Sequence, residues 1–163
     1  MFMNKKAVKI LIKNIILVSG GFDPIHSGHI SLIKECSKLG EVIVLLNSDN
    51  WLREKKGKEF LPFSERKIIM NSIKSVIDVI SFDDKDKTCI NGIKKALLRY
   101  PKCNFKFANG GDRIETKAPN QETIFCKNNN IKVLWNVGGK NKKNSSSWIL
   151  DRWKKLKFKE SIK

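Results

Sequence analysis

The chain has 163 residues, 40% of them hydrophobic and 30% charged, with a formal net charge of +17. That is the profile of a globular chain long enough to bury a core, and no apolar run approaches the roughly 20 residues that span a bilayer. Lysine spread along the chain supplies most of the charge, without the basic–aromatic interleaving of a single-strand binder, so it reads as solvated surface that attracts phosphorylated small molecules.

The first elements come from the N-terminal third. Lys5, Lys6, Lys9 and Lys13 interrupt the opening apolar stretch, and no small-residue cleavage site follows, so a signal peptide is not expected. "IILVS" (15–19) is β-branched and stops at Gly-Gly, as a buried strand does. "HISLIKECSKLG" (29–40), entered near Ser27, has helical apolar spacing at Ile30, Leu32, Ile33, Cys36 and Leu39 and closes at Gly40. "EVIVLLN" (41–47) is continuously apolar, which predicts a parallel strand covered on both faces.

"SDNWLREKKGKEFLPF" (48–63) reads as a polar, lysine-rich loop, and "SERKIIMNSIKSV" (64–76) as a helix with Ser64 as its N-cap. The remaining elements are a strand in "DVISF" (78–82), a helix in "CINGIKKALLRY" (89–100) and a strand in "NFKFAN" (104–109). A helix in "NQETIFCKNNN" (120–130), a strand in "IKVLWNV" (131–137) and a helix in "SSSWILDRWKKL" (145–156) complete the series. Strands alternate with helices throughout, which predicts one α/β domain over 1–163, a Rossmann-like, mainly parallel five-stranded sheet with helices on both faces. Residues 1–13 form a basic N-terminal segment and 146–163 a basic C-terminal helix and tail. Cys36, Cys89, Cys103 and Cys126 are scattered without a C-x-x-C pair, so free thiols and a cytoplasmic location are expected.

The unusual residues stand at strand ends: 20–29, 109–113 and 138–147. A parallel sheet gathers such ends into one crevice. The chain's only two histidines, His26 and His29, flank Gly28 just past the first strand. Three readings of that segment compete. Asp23, His26 and His29 at i, i+3 and i+6 could bind a transition metal, but Pro24 and the glycines make a loop there, and no further ligand cluster follows. Asp23 and Gly28 could simply start a helix. The third reading is phosphate chemistry, in which a helix N-terminus and two imidazoles donate hydrogen bonds to a polyphosphate. Neither G-x-G-x-x-G nor a Walker A sequence is present.

"GGFDPIHSGH" resembles the G-x-F-D-x-x-H-x-G-H signature of the nucleotidyltransferase superfamily, the HxGH enzymes that include cytidylyltransferases and small adenylyltransferases. "NSDNWLREKKGK", "SERK", "NGGD" and "SSSWIL" are similar to later segments of that family in the same order. The likeness is greatest to the glycerol-3-phosphate cytidylyltransferase and heptose-1-phosphate adenylyltransferase branches. The resemblance implies a Rossmann-like enzyme that transfers a nucleotidyl group from CTP to a phosphorylated small molecule, with Mg²⁺, as a homodimer. ATP with a sugar 1-phosphate is the alternative, and a non-catalytic, basic nucleic-acid-binding protein on the same fold is the reading from another class.

It further implies that His26, His29, Lys55 and Lys56 serve catalysis, with one of the two lysines neutralising phosphate. Nucleotide contacts would come from Gly21, Phe22, Asp23, Gly28, Gly110, Gly111, Asp112, Ser145, Ser146 and Ser147, and no residue is assigned to a resident metal. The chain departs from the pattern twice. Gly21 stands where the family often has threonine, and "NVGGKNKKN" stands where cytidylyltransferases often carry R-T-E-G. Lys140, Lys142 or Lys143 could supply that missing cation, although lysine cannot reproduce the bidentate fork of arginine.

Overall fold

A computed structural model describes residues 12–110, 120–139 and 145–155. Along the chain come β1 (Asn14–Gly20), α1 (Ser27–Ser37), β2 (Glu41–Leu46), α2 (Asp49–Lys56), α3 (Phe63–Asn71) and β3 (Val76–Ser81). They are followed by α4 (Ile90–Arg99), β4 (Asn104–Gly110), α5 (Gln121–Asn128), β5 (Lys132–Val137) and α6 (Ser146–Lys155). The strands form one sheet in the order β3-β2-β1-β4-β5, and every neighbouring pair is parallel. The expected α/β architecture is present.

The continuous apolar runs of β1 and β2 follow from burial on both faces. Ile15, Leu17, Ile43 and Leu45 join one core layer with Ile93 and Ala96 of α4 and Cys126 of α5. Ile16, Val18, Val42, Val44 and Leu46 join the opposite layer with Ile33 and Cys36 of α1 and Met70 of α3. Each Ile, Leu, Val or Met among them, when fully buried, contributes about 1.5–3 kcal/mol. No helix among the described residues is long and apolar enough to cross a membrane.

After β1 the chain builds outward through β2 to β3, then returns to place β4 on the other side of β1. The crossover helices diverge at that point, which opens a crevice at the carboxyl ends of β1 and β4. Gly20 and Gly110 end those two strands.

Two expectations need correction. Residues 48–63 are not one loop, since α2 occupies Asp49–Lys56. Ser48 caps it by accepting from the Trp51 amide at 3.1 Å, Asp49 lies in its first turn, and Arg53, Lys55 and Lys56 lie in its last. Those charges complement the helix dipole, and Gly57, at φ 85°, ends the helix. Ser64 is not the N-cap of α3. Pro62 takes that position without a side-chain bond, and the Phe63 amide donates to Asp49 Oδ2 at 3.2 Å. A carboxylate from the preceding helix does the work expected of a local serine.

Candidate active site

The β1–α1 turn carries both histidines. His26 is the N-cap of α1. Its Nδ1 accepts from the Gly28 amide at 3.1 Å, which leaves Nε2 to carry the ring proton. One turn further along, His29 stacks on His26 with ring centroids 3.8 Å apart, and the Phe22 ring lies 4.8 Å from it at a tilt. Burial, the nearby His26 and the charge of Lys56 push the His29 pKa down from 6.5 to about 3. Its Nδ1 is buried without a hydrogen-bond partner. In the neutral ring one nitrogen donates and the other accepts.

Asp23 is turned away from the histidines. Its carboxylate accepts from the Phe60 amide and the Leu61 amide, both at 2.8 Å, so it ties the segment after α2 to the end of β1. This engagement disposes of the Asp23–His26–His29 metal reading. Among the described residues no group of three His, Cys, Asp or Glu side chains could hold a metal ion.

The two lysines separate clearly. Lys56 is half-buried and donates to the Asp23 carbonyl. Desolvation lowers its pKa, the charge of Arg66 lowers it further, and Asp23 opposes both. Lys55 is exposed and rests its ammonium 4.3 Å from the centre of the Trp51 ring. Lys56 therefore joins the histidines, and Lys55 stays on the rim.

Gly21 explains one departure of the sequence. A Cβ there would lie 2.6 Å from Leu52 Cδ2 and 3.6 Å from Trp51 Cζ3. Leu52, fully buried, fills the volume where a threonine would stand. Phe22, at φ 50°, turns the chain sharply into the Asp23–Pro24 segment.

The serine segment reaches the same junction. Ser145 caps α6, its Oγ accepting from the Trp148 amide at 3.2 Å. The Ser146 hydroxyl donates to the Pro24 carbonyl at 2.9 Å, and Ser147 is exposed on the first turn. Near the other end of α6, Trp153 meets Phe60 edge-on at 6.2 Å. Gly28 lies in the first turn of α1, and Gly110 ends β4. Gly111, Asp112, Lys140, Lys142 and Lys143 lie outside the described residues.

Two side chains here had no role in the sequence reading. Arg66, from α3, is fully buried. It donates to the carbonyls of Gly21 at 2.7 Å, Asn47 at 2.9 Å and Leu61 at 3.0 Å, and to Asp49 Oδ1 at 2.6 Å. Asp84 accepts from Asn47 Nδ2, the Ser48 amide and the Ser48 hydroxyl at 2.7–3.1 Å, fixing the start of α2 from the loop after β3. In the sequence Arg66 belongs to "SERK", a segment of the resemblance to which no role was given, and Asp84 looks like an ordinary surface charge within a polar run.

The model of the Cytidylyltransferase-like family matches residues 17–152, from inside β1 to the last turn of α6. The chain belongs to the cytidylyltransferase-like family. With it the resemblance carried by the five motif segments is borne out, and the protein stands among the nucleotidyltransferases. It is 29% identical over 126 residues to the bifunctional protein HldE of Citrobacter koseri and equally so to that of Salmonella arizonae. The match covers 75% of this chain and 24% of each relative, so this cytidylyltransferase-like chain corresponds to about a quarter of their length.

Among solved structures, a lipopolysaccharide core biosynthesis protein from Thermoplasma volcanium superposes with a TM-score of 0.57 and 22% identity, over 76% of this chain and 93% of that one. A Vibrio parahaemolyticus protein described as a candidate nicotinate-nucleotide adenylyltransferase gives 0.55 and 20%, over 86% of each chain. At these identities they establish a shared fold.

Proposed function

We propose that the protein transfers a nucleotidyl group from a nucleoside triphosphate to a phosphorylated small molecule. An acceptor phosphate oxygen attacks the α-phosphorus, the bond from that phosphorus to the bridging oxygen of the β-phosphate breaks, and pyrophosphate leaves. The observation that carries this reading is the stacked His26–His29 pair beside Lys56, at the carboxyl end of β1.

The catalytic contribution is electrostatic. Negative charge grows on the leaving pyrophosphate, and donors already in place stabilise it without reorganising. The Gly28 amide is occupied by His26 Nδ1, and the His29 amide bonds the His26 carbonyl at 2.9 Å. Phosphate recognition therefore falls mainly to side chains: His26 through Nε2–H, His29 as a neutral donor, and Lys56 as the cation. Ser145, Ser146 and Ser147 bring α6 to the rim, where Ser147 and the helix N-terminus would contact phosphate. Mg²⁺ belongs to the substrate in this reading, carried on the triphosphate oxygens. With Asp23, Asp49 and Asp84 engaged by amides, hydroxyl and guanidinium groups, the described residues do not form a resident magnesium cage.

CTP is the first choice of nucleotide, from the resemblance and the family. ATP is the second reading, favoured by "NVGGKNKKN" in place of R-T-E-G. A homodimer and a cytoplasmic location remain part of the proposal. The test is pyrophosphate release from CTP or ATP with polyol phosphates, sugar 1-phosphates, phosphocholine and phosphonates as acceptors. Turnover with one pair, lost in His26→Ala, supports the function. Absence of turnover across the panel, together with no calorimetric binding of either magnesium–triphosphate, overturns it. Tenfold tighter binding of ATP, about 1.4 kcal/mol, overturns only the cytidylyl choice.

A further inference from the structure

Arg66 lies at the meeting point of the segments that build the site, and it touches neither histidine. Its Nη1 serves the carbonyls of Gly21 and Asn47, the residues that follow β1 and β2. Its Nε serves Leu61 in the segment after α2, and its Nη2 serves Asp49 in the first turn of α2. Asp49 in turn receives the Phe63 amide at the start of α3 through its other oxygen. One planar fork thus fixes two strand ends, both ends of the α2 segment and the helix from which it comes. Lysine, with a single ammonium and no fork, cannot satisfy four acceptors in that arrangement.

We propose that Arg66 is a positioning residue that holds α2 so that Lys56 stands beside His29. The inference rests on the proposed nucleotidyl transfer for its kinetic meaning, but not for its structural content. Lys56 is in the last turn of α2, about two turns from Asp49. Without the clamp at Asp49 and Leu61, each flank of that helix loses one of its attachments and is left to Asp84 at Ser48 and to Asp23 at Phe60 and Leu61. The groups that face Lys56 are Asp23 before α1, His29 on α1 and Arg66 on α3. Arg66 therefore acts on Lys56 in two ways, by place and by charge, and its positive charge depresses the Lys56 pKa.

Arg66→Lys keeps the charge and removes the fork, whereas Arg66→Met removes both. A milder variant, Asp49→Asn, keeps an acceptor oxygen and covers the case in which Arg66→Met does not fold. In Arg66→Lys, kcat should fall by about 100-fold, the scale of a misplacement of about 1 Å, while the KM for triphosphate moves much less. Lys56 can be followed without substrate, as its ¹³C-dimethyl signal assigned by loss in Lys56→Arg. In Arg66→Met that signal should titrate at higher pH than in the parent, because a neighbouring cation is gone. In Asp49→Asn its chemical shift should change as α2 loosens. Folded variants with parental kcat and an unmoved Lys56 signal overturn the proposal. So does a fall in Tm alone, with kcat and Lys56 unchanged, since that is a purely structural role. The Lys56 titration stands even if no nucleotidyl transfer is found, which separates the failure of this inference from the failure of the function.

Discussion

The turn after β1 and the segment after β2 bring the same kind of chemistry to one crevice by opposite means. The histidine turn organises itself: His26 caps its own helix, bonds the amide two residues on and stacks on the ring three residues on. The lysine segment is held from outside, by Arg66 of α3, Asp84 after β3 and Asp23 after β1. Local sequence can specify the first arrangement. The second exists only when the sheet and α3 are in place, so damage at a distance should reach the lysine and spare the histidines.

Substitution in the self-organised turn should have the largest effect. His26→Ala and His29→Ala should each lower kcat by about 10²–10³, the usual cost of one preorganised donor. Steady-state kinetics on a working substrate pair, with circular dichroism to verify folding, check this. Parental turnover in both variants would show that the turn has no catalytic part.

The two lysines sharpen the contrast within α2 itself. Lys56→Ala should reduce kcat by about tenfold or more, within the range of losses seen when electrostatic stabilisers are removed. Lys55→Ala, which removes an exposed ammonium together with its contact to the Trp51 ring, should leave kcat near its parental value and alter KM slightly. Equal losses in the two single variants would contradict the separation seen at Asp23 and Trp51.

Gly21 is where the two regions touch. Gly21→Thr should destabilise the fold by about 1–3 kcal/mol, the cost of overpacking a filled site, because Leu52 occupies the space. Adding Leu52→Ala should recover part of that loss. Denaturant unfolding of the singles and the double forms a cycle, and strict additivity would mean that the two residues do not compete.

The last expected effect is on acid stability. His29 is neutral in the fold, with a pKa of about 3 against an ordinary 6.5. The unfolded chain therefore binds more protons between those values, and stability falls as pH drops through that window. Above pH 6.5 the contribution is fully present. His29→Gln should flatten the slope of unfolding free energy against pH between about 6 and 4, measured by urea titration. An unchanged slope would mean that His29 protonates as freely in the fold as in the unfolded chain.

The alternation of strands and helices, the two-sided burial of β1 and β2 and the placing of His26 and His29 after β1 were all legible in the sequence. They depend on residues close together in the chain: apolar runs, glycine stops and a helix start. Even α2 left local signals in Ser48, Asp49 and Gly57, which the lysine-rich composition of 48–63 concealed. Tertiary structure alone decided that Asp23 faces Phe60 and Leu61 rather than the histidines. It also decided that Lys56 rather than Lys55 enters the site, and that Leu52 fills the space beside Gly21. The same holds for Arg66, whose partners lie 5, 17, 19 and 45 residues away. An arginine in a polar helical turn looks solvated until the chain brings three carbonyls and a carboxylate around it. Burial of that charge is tolerable only when all those partners arrive together, and no local pattern encodes that.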